Sequence, residues 1–285
     1  EVNTPIVEFT EVYERTLGEL SDVVSKEMYT FKDRSGNSLT LRPEGTAGIA
    51  RAYVTGKLKD KLPIRFFYQG PMFRYERPQK GRYRQFNQIG VEFLGVRDHT
   101  ADVEVIALGQ HILKELKLEK KVKLNINSLG DIESREVYKE NLIQYLSKYK
   151  NDLSNESQER FHRNPLRILD TKDQNDKKIL ENAPIFSDFL NTASKEFFYK
   201  TCSGLDTLGV PFELNPKLVR GFDYYSHTAF EFITNELGSQ NAVIAGGRYD
   251  GLINLMGGDS TTGVGWAGGL ERLSLLAPKV ERLER

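Results

Sequence analysis

The stretch FRYERPQKGRYRQF, residues 73–86, decides how the surrounding chain folds. Pro78 and Gly81 interrupt it between two runs, 64–75 and 83–95, that are typical of strands. We therefore predict a β-hairpin with a long tip. The stretch places five cations within eleven positions: Arg74, Arg77, Lys80, Arg82 and Arg84. Since the chain as a whole carries no net charge, this local positive charge indicates a binding site for an anion.

Side chains along the second strand of this hairpin alternate between two faces. One face carries Ile89, Val91 and Phe93, which predicts that it packs on a core. The opposite face carries Arg84, Phe86, Gln88, Gly90 and Glu92. A cation, a ring, an amide and a carboxylate in line predict the floor of a cleft in which arginines hold phosphate and the ring offers a stacking surface. Composition alone also fits a nucleic-acid-binding ribbon.

Composition limits the other possibilities. The 285 residues suffice for one substantial core and a smaller unit. The single cysteine, Cys202, excludes an internal disulfide, and the scattered histidines argue against a metal held by His and Cys. No apolar run has the length of a transmembrane helix and no signal peptide opens the chain, so we expect a reducing, cytoplasmic location and no membrane partner.

The order of elements predicts a β-rich body that is interrupted once. Residues 39–56 are typical of a strand, a turn and a helix, with Thr46 at the expected N-cap. Residues 101–118 have helical periodicity and 122–127 are typical of a strand. The chain then becomes helical and polar until about 212, after which strand signals return. We predict an α+β fold whose body, 1–130 and 213–285, is split by a helical insertion at 131–212.

Two later segments carry further candidate residues. LVRGFDYYSHTAFEF (218–232) sets Arg220 in an apolar, strand-like frame, where Asp223 is a possible salt-bridge partner. TGVGWAGGLERL (262–273) places Arg272 in the first turn of a helix behind glycines, which allow either close approach of a ligand or tight helix–strand packing. Neither segment is a GxxxxGK[ST] phosphate loop.

Five motifs taken together closely resemble the bacterial histidyl-tRNA synthetases, which are class II aminoacyl-tRNA synthetases. These are LRPEGT (41–46), GPMFRYERPQKGRYRQFNQIGVE (70–92), LVRGFDYY (218–225), AGGRYDGL (245–252) and GVGWAGGLERL (263–273). TPIVE (4–8) resembles the end of class II motif 1, while 67–93 and 263–275 resemble motifs 2 and 3. The resemblance implies an antiparallel sheet of six or seven strands flanked by helices, and a homodimer. It also leads us to expect that the start of motif 1 and a C-terminal anticodon-binding domain are missing from this chain.

The reaction that the resemblance implies is ATP-dependent activation of L-histidine to histidyl-adenylate, with Mg²⁺ accompanying ATP, and transfer to the 3′ end of tRNA(His). The alternative is a non-catalytic, histidine-binding regulatory subunit of ATP phosphoribosyltransferase. That paralogue would not need the arginines at positions 74 and 220, which this chain retains.

The resemblance also assigns roles to single residues. Arg74 and Arg220 match the arginines on either side of the α-phosphate, and with Gln88 they are the expected catalytic residues. The expected ATP-binding residues are Arg74, Glu76, Arg82, Phe86 and Arg272, with Phe86 stacked on adenine and Glu76 accepting from its amine. The expected histidine-binding residues are Glu44, Gly45, Thr46, Arg74, Gln88, Glu92, Arg220, Tyr224, Tyr225 and Tyr249. Glu92 and Tyr225 would partner the two imidazole nitrogens, Arg77 and Gln79 would meet the tRNA acceptor end, and no metal site would be built from protein ligands alone.

Overall fold

The computed structural model describes residues 1–18, 21, 23–219, 224–237 and 241–278. Within these residues the strands are β1 (Val7–Phe9), β2 (Thr30–Lys32), β3 (Ser38–Leu41), β4 (Ile64–Phe73), β5 (Gln85–Leu94), β6 (Lys123–Ser128), β7 (Glu213–Leu214), β8 (Ser226–Ile233), β9 (Ala242–Arg248) and β10 (Gly263–Gly269). The α-helices are α1 (Thr10–Leu17), α2 (Thr46–Thr55), α3 (Thr100–Glu115), α4 (Ile132–Ser147), α5 (Asn155–Arg163), α6 (Gln174–Leu180), α7 (Thr192–Thr207), α8 (Leu252–Leu255) and α9 (Leu270–Leu276).

A seven-stranded sheet forms the body of the protein. Its strand order is β4-β5-β10-β9-β8-β6-β7, and every neighbouring pair is antiparallel except β6 and β7. A smaller antiparallel sheet has the strand order β1-β3-β2, and its strands precede the main sheet in the sequence. The predicted α+β fold with an antiparallel sheet flanked by helices is therefore confirmed.

The hairpin predicted around residues 73–86 is formed by β4 and β5. Its strands stay in register from Ile64 opposite Leu94 to Phe73 opposite Gln85. The predicted packed face is confirmed, because Ile89, Val91 and Phe93 belong to the main core. The opposite face of β5 is turned towards a cleft.

On the cleft face, the residues of β10 and β9 that lie in line with Glu92 of β5 in the sheet are small. Gly265 of β10 lies between Glu92 of β5 and Gly247 of β9 in the register. Trp266 points to the other face, where it is buried and its Nε1 donates to the carbonyl of Val105 at 2.9 Å. Alternation along β10 thus places the large Trp266 side chain on the core side and glycines on the cleft side.

Helices α3 and α7 pack against the core face of the sheet. Helix α3 contributes Val105, Ile106 and Leu113 to the main core, and α7 contributes Leu205. Residues of α4 to α6 and the adjoining turns form a separate apolar cluster that includes Tyr138, Leu142, Leu146, Leu153, Ile168, Phe186 and Leu190. The division of the chain at 131 and 212 remains a prediction.

A buried ion pair fixes the end of β9. Arg248 is fully buried, and its guanidinium donates to both carboxylate oxygens of Asp102 at the start of α3. The same guanidinium donates to the carbonyl of Val96 at 3.1 Å and to Asp250 at 3.1 Å. Since a buried charge is tolerated only when it is paired and hydrogen-bonded, these contacts hold residues 248–250 in one position against α3.

Candidate active site

A cavity of about 450 Å³ opens on the cleft face of the sheet. Its walls come from the β4–β5 hairpin, the start of α2 and the strands β8 to β10. It is lined by most of the residues that the sequence singled out: Glu44, Thr46, Arg74, Glu76, Arg82, Phe86, Gln88, Tyr224, Tyr225, Tyr249 and Arg272. Residues from positions as distant as 44 and 272 therefore meet in one place.

Guanidinium groups dominate one end of the cavity. The Nε of Arg74 donates to the carbonyl of Pro43 at 2.9 Å. Arg272 donates to the carbonyls of Gly81 at 2.9 Å and Ala242 at 2.8 Å. Carbonyl partners fix the direction of a guanidinium without neutralising its charge, so both groups keep their capacity to bind an anion. Burial lowers the pKa of Arg272, because it disfavours the charged form, and a bound phosphate would oppose that shift.

Two carboxylates share this cationic end. Glu76 forms a two-pronged ion pair with Arg82, and Glu27 lies 3.9 Å from the same guanidinium. Burial and the charge of Glu76 raise the pKa of Glu27. Burial would also raise the pKa of Glu76, but the hydrogen bond from Arg82 and the charges of Arg74 and Arg82 outweigh it, so that pKa is lowered. Glu76 is thus an ionised partner of Arg82 here, and its expected contact with adenine remains a prediction.

The middle of the cavity offers a ring and an amide. Phe86 lies beside Arg74, with 5.6 Å between the guanidinium carbon and the ring centroid. The Oε1 atom of Gln88 is buried and has no hydrogen-bond partner among the described residues. An amide oxygen in that position is suited to accept from an ammonium group of a ligand.

A buried carboxyl group, that of the predicted residue Glu92, lies behind the other end and is not itself among the residues that line the cavity. Glu92 is 1% exposed, accepts from the Thr46 hydroxyl at 2.7 Å and accepts from the Tyr249 hydroxyl. Burial raises the pKa of Glu92 to about 8, the charge of Glu44 adds to the shift, and the hydrogen bonds from Tyr249 and Thr46 oppose it. The side chain therefore sits behind Thr46 and Tyr249, at the closed end of the cavity.

Glu44 caps helix α2, which corrects the expectation for Thr46. The Glu44 carboxylate accepts from the backbone N–H groups of Thr46 at 2.6 Å and Ala47 at 2.8 Å, while Gly45 occupies the N-cap position. The predicted cap by Thr46 is wrong, because the carboxylate of Glu44 already accepts from the N–H groups at the start of the helix. The Thr46 hydroxyl is consequently released to bond Glu92.

Three buried tyrosines close the wall above Glu92. The rings of Tyr224 and Tyr225 lie 4.6 Å apart, and those of Tyr224 and Tyr249 lie 5.9 Å apart. Glycines make room for them, since a side chain at Gly263 would overlap Tyr249 and one at Gly247 would crowd Tyr225. Burial raises the pKa of Tyr224 and Tyr249 well above the ordinary value, so both remain neutral hydrogen-bonding groups.

Some predicted residues are not brought to the cavity wall. Arg77 and Gln79 are exposed at the hairpin tip. Arg84 stacks on Tyr75, with 4.2 Å between the guanidinium carbon and the ring centroid, and does not line the cavity. Arg220, the expected second catalytic arginine, lies outside the described residues, as does Asp223.

Three carboxylates of the cavity wall, Glu27, Glu231 and Glu271, were not predicted from the sequence. Glu231 is on β8 between Phe230 and Phe232, whose side chains are buried in the main core. Alternation along that strand could have assigned Glu231 to the cleft face. Glu27 is the last residue of a short π-helical turn (Val23–Glu27) far from the recognised motifs, and the surrounding sequence has no comparable periodicity.

Carboxylates in the cavity wall fit a hard cation that arrives with a nucleotide. Mg²⁺ prefers oxygen ligands and is commonly held by one or two carboxylates together with substrate phosphates. Glu231 and Glu76 both line the cavity that contains the guanidinium groups. Within the described part of the chain, no cluster of three or more His, Cys, Asp and Glu side chains could bind a metal by itself.

Comparison with known proteins agrees with this geometry. A family profile described as "Histidyl-tRNA synthetase" matches residues 1–273. A histidine–tRNA ligase of Rhodospirillum rubrum is 59% identical over 276 residues, which are 97% of this chain and 66% of that protein. One of Gluconobacter oxydans is 56% identical over 99% of this chain and 68% of that protein. The crystal structure of apo histidyl-tRNA synthetase from S. aureus superposes with a TM-score of 0.78 at 41% identity, covering 96% of this chain and 64% of that one.

The sheet, the basic hairpin and the glycine-rich strand are those that a class II synthetase was expected to have. The chain belongs to the histidyl-tRNA synthetase family. It spans about two thirds of the length of the curated relatives that it matches.

The buried Glu92 carboxyl predicts how stability depends on pH. Its folded pKa of about 8 lies above the ordinary value of 4.5, so the folded chain holds a proton that the unfolded chain has already released between these values. The free energy of unfolding should therefore fall as the pH rises through this range. We expect Glu92→Gln, which cannot titrate, to show a smaller fall in Tm by calorimetry between about pH 5.5 and about pH 8.5.

The matched control for this prediction is Glu104→Gln. The hydrogen bond from Arg65 lowers the pKa of Glu104, so its titration lies below the tested range. Its Tm should fall with pH as steeply as that of the unsubstituted protein. Equal slopes for Glu92→Gln and the unsubstituted protein would contradict the raised pKa of Glu92.

Proposed function

We propose that the protein catalyses ATP-dependent activation of L-histidine to histidyl-adenylate and transfers the histidyl group to the 3′ end of tRNA(His). One observation carries this proposal: a single cavity is lined both by anchored guanidinium groups and by Thr46 and Tyr249, whose hydroxyl groups bond the buried Glu92 carboxyl behind them. The first arrangement suits triphosphate, and the second suits a small ligand with a ring N–H.

In the proposed reaction, a carboxylate oxygen of histidine attacks the α-phosphorus of ATP. The new O–P bond forms as the bond from the α-phosphorus to the bridging oxygen breaks, and pyrophosphate leaves with that oxygen. Arg74 would bind both the α-phosphate and the attacking carboxylate, which brings the reactants together and stabilises the charge that develops between them. Arg220 is proposed for the opposite side of the α-phosphate on the resemblance of its motif.

The remaining cavity residues would position the two substrates. Arg82 and Arg272 would hold the γ-phosphate end, and Phe86 would stack on adenine. Glu44, Thr46 and Gln88 would surround the histidine ammonium group, with Glu92 accepting from an imidazole N–H and Tyr225 meeting the other nitrogen. A bound Mg²⁺ would neutralise part of the phosphate charge, and Glu231 is a wall carboxylate suited to hold it.

A regulatory histidine-binding subunit is the less well supported alternative. One structure titled as an ATP phosphoribosyltransferase regulatory subunit/histidyl-tRNA synthetase from Bacillus halodurans has a TM-score of 0.66 at 24% identity, a likeness that extends to the fold alone. A subunit that only binds histidine has no use for Arg74, Arg82 and Arg272 in the same cavity. Their joint presence favours adenylate formation.

Histidine-dependent exchange of labelled pyrophosphate into ATP tests this proposal. The unsubstituted protein should show exchange with L-histidine. Arg220→His should reduce the rate on the order of 10²–10³, the typical cost of losing one electrostatic donor to the developing charge, while histidine still binds. Arg34→His, the same substitution at an exposed turn between β2 and β3, serves as the control and should exchange normally.

Histidine binding without any exchange by the unsubstituted protein would favour the regulatory alternative. Near-normal exchange by Arg220→His would remove Arg220 from the proposed mechanism.

The hairpin tip is proposed to meet the tRNA acceptor end. Arg77 and Gln79 are exposed there, on a tip shaped by a bridge between residues 79 and 82. We expect Arg77→Ala to raise the apparent KM for tRNA(His) roughly threefold to tenfold and to flatten its salt dependence, because one phosphate contact is lost. Charging assays at several salt concentrations measure this, and an unchanged KM would contradict it; pyrophosphate exchange, which needs no tRNA, is the control.

Homodimer formation is proposed from the exposed apolar side chains of the small sheet. Phe9 and Phe31 both lie opposite Leu39 in the register, and both are about half exposed. Exposed apolar groups clustered on one face mark an interaction surface. Sedimentation equilibrium measures the oligomer, and a monomer at micromolar concentration would contradict this proposal.

A cytoplasmic location is proposed because tRNA charging takes place there and because the one cysteine of the chain suits a reducing compartment. Among the described residues, no helix is long and apolar enough to cross a membrane.

A further inference from the structure

Tyr68 lies at the centre of the cleft face, where neither the motifs nor the resemblance assigned a role. It is on β4, directly opposite Gly90 of β5. Gln88 and Glu92, two residues to either side of Gly90, are its diagonal neighbours on the same face. Tyr68 therefore lies between the side chain proposed for the histidine ammonium group and the one proposed for the imidazole.

The ring and the hydroxyl of Tyr68 have different surroundings. The ring packs with Ile49 and Met72, and a phenylalanine ring would fill the same space. The hydroxyl is buried and has no hydrogen-bond partner among the described residues. A buried hydroxyl without a partner is unfavourable and is rare in native proteins, so its presence requires an explanation.

Two glycines enclose this hydroxyl. A side chain at Gly45 or at Gly90 would overlap the phenol, and its hydroxyl is among the nearest atoms at both positions. Gly45 directly precedes Thr46, and Gly90 is two residues before Glu92. The hydroxyl is therefore held at the junction of the two segments that carry the Thr46–Glu92 hydrogen bond.

The surrounding charges keep the phenol protonated. Burial raises the pKa of Tyr68, the charges of Glu92 and Glu44 add to the shift, and the nearby Thr46 hydroxyl, which can hydrogen-bond the phenolate, opposes it. The phenol thus retains a proton to donate. Thr46 already gives its own proton to Glu92, so the lone pairs of its oxygen remain able to accept one.

We propose that Tyr68 is a further positioning residue of the amino-acid pocket, an inference that rests on the proposed function. When histidine binds, the Tyr68 hydroxyl donates to Thr46 Oγ1, and Thr46 donates to Glu92. This chain of hydrogen bonds holds the Glu92 carboxyl in the direction of the imidazole N–H. No covalent bond changes and no proton leaves its residue.

Tyr68→Phe tests this role because it keeps the ring and removes the hydroxyl. Calorimetry of histidine binding to the full chain should show about a threefold to tenfold loss of affinity, the effect expected for one hydrogen bond that forms in the complex. The KM for histidine in pyrophosphate exchange should rise by the same factor, and the KM for ATP should stay unchanged. The Tm measured without histidine should not fall, since no hydrogen bond of the described residues is lost.

Tyr138→Phe is the matched control. Its hydroxyl is also on a buried tyrosine but donates to the carbonyl of Pro184 at 3.1 Å, within the separate apolar cluster of α4 to α6. This variant should lose Tm and keep its affinity for histidine, which is the reverse of the result expected for Tyr68→Phe.

Unchanged histidine affinity in Tyr68→Phe would overturn the proposal, and so would a fall in Tm with equal losses for histidine and ATP. Direct binding separates this test from that of the proposed function. If the unsubstituted protein binds histidine without exchange, the proposed function fails while the comparison of Tyr68→Phe still decides the role of Tyr68. If it does not bind histidine, both proposals fail.

Discussion

The bare backbone of the cleft face, at Gly247, Gly263 and Gly265, is the constraint on which the site depends. In a strand, every second residue normally projects its side chain from the same face of the sheet. Here β9 and β10 carry glycine at these three positions of the cleft side, so Glu92, Tyr225 and Tyr249 can lie against the sheet there. The raised pKa of Glu92 and its two hydroxyl donors both follow from that burial.

The two ends of the cavity differ in their electrostatics. At one end, Arg74 and Arg272 are anchored by carbonyl oxygens, which orient the guanidinium groups without cancelling their charge. At the other end, hydroxyl groups of Thr46 and Tyr249 orient Glu92 while its burial resists ionisation. A ligand with phosphate at one end and a ring N–H at the other would complement both, as the proposed binding of ATP and histidine in one site requires.

The sequence predicted features that depend on local periodicity or on a familiar motif. The faces of β5 follow from alternation, and the same rule applied to β8 would have found Glu231. Features that depend on packing between residues far apart in the sequence could not be predicted from it. Thr46 was misassigned as a cap because Glu44 competes for the same N–H groups, and its true partner Glu92 lies 46 residues away. The enclosure of Tyr68 by Gly45 and Gly90 likewise exists only once β4, β5 and α2 have assembled.

Calorimetric titration of Gly265→Ala with histidine tests most directly whether bare backbone makes the site. A methyl group there would overlap Glu92. Gly251→Ala is the matched control, because a side chain at Gly251 would meet no atom within 4 Å and its backbone has a φ of −91° that alanine readily adopts. With both variants shown to be folded by their melting curves, we predict that Gly265→Ala loses at least about tenfold in histidine affinity, as expected when a buried hydrogen-bond acceptor is displaced, and that Gly251→Ala loses none. A folded Gly265→Ala protein that binds histidine as tightly as the unsubstituted protein would contradict this central role of the glycines.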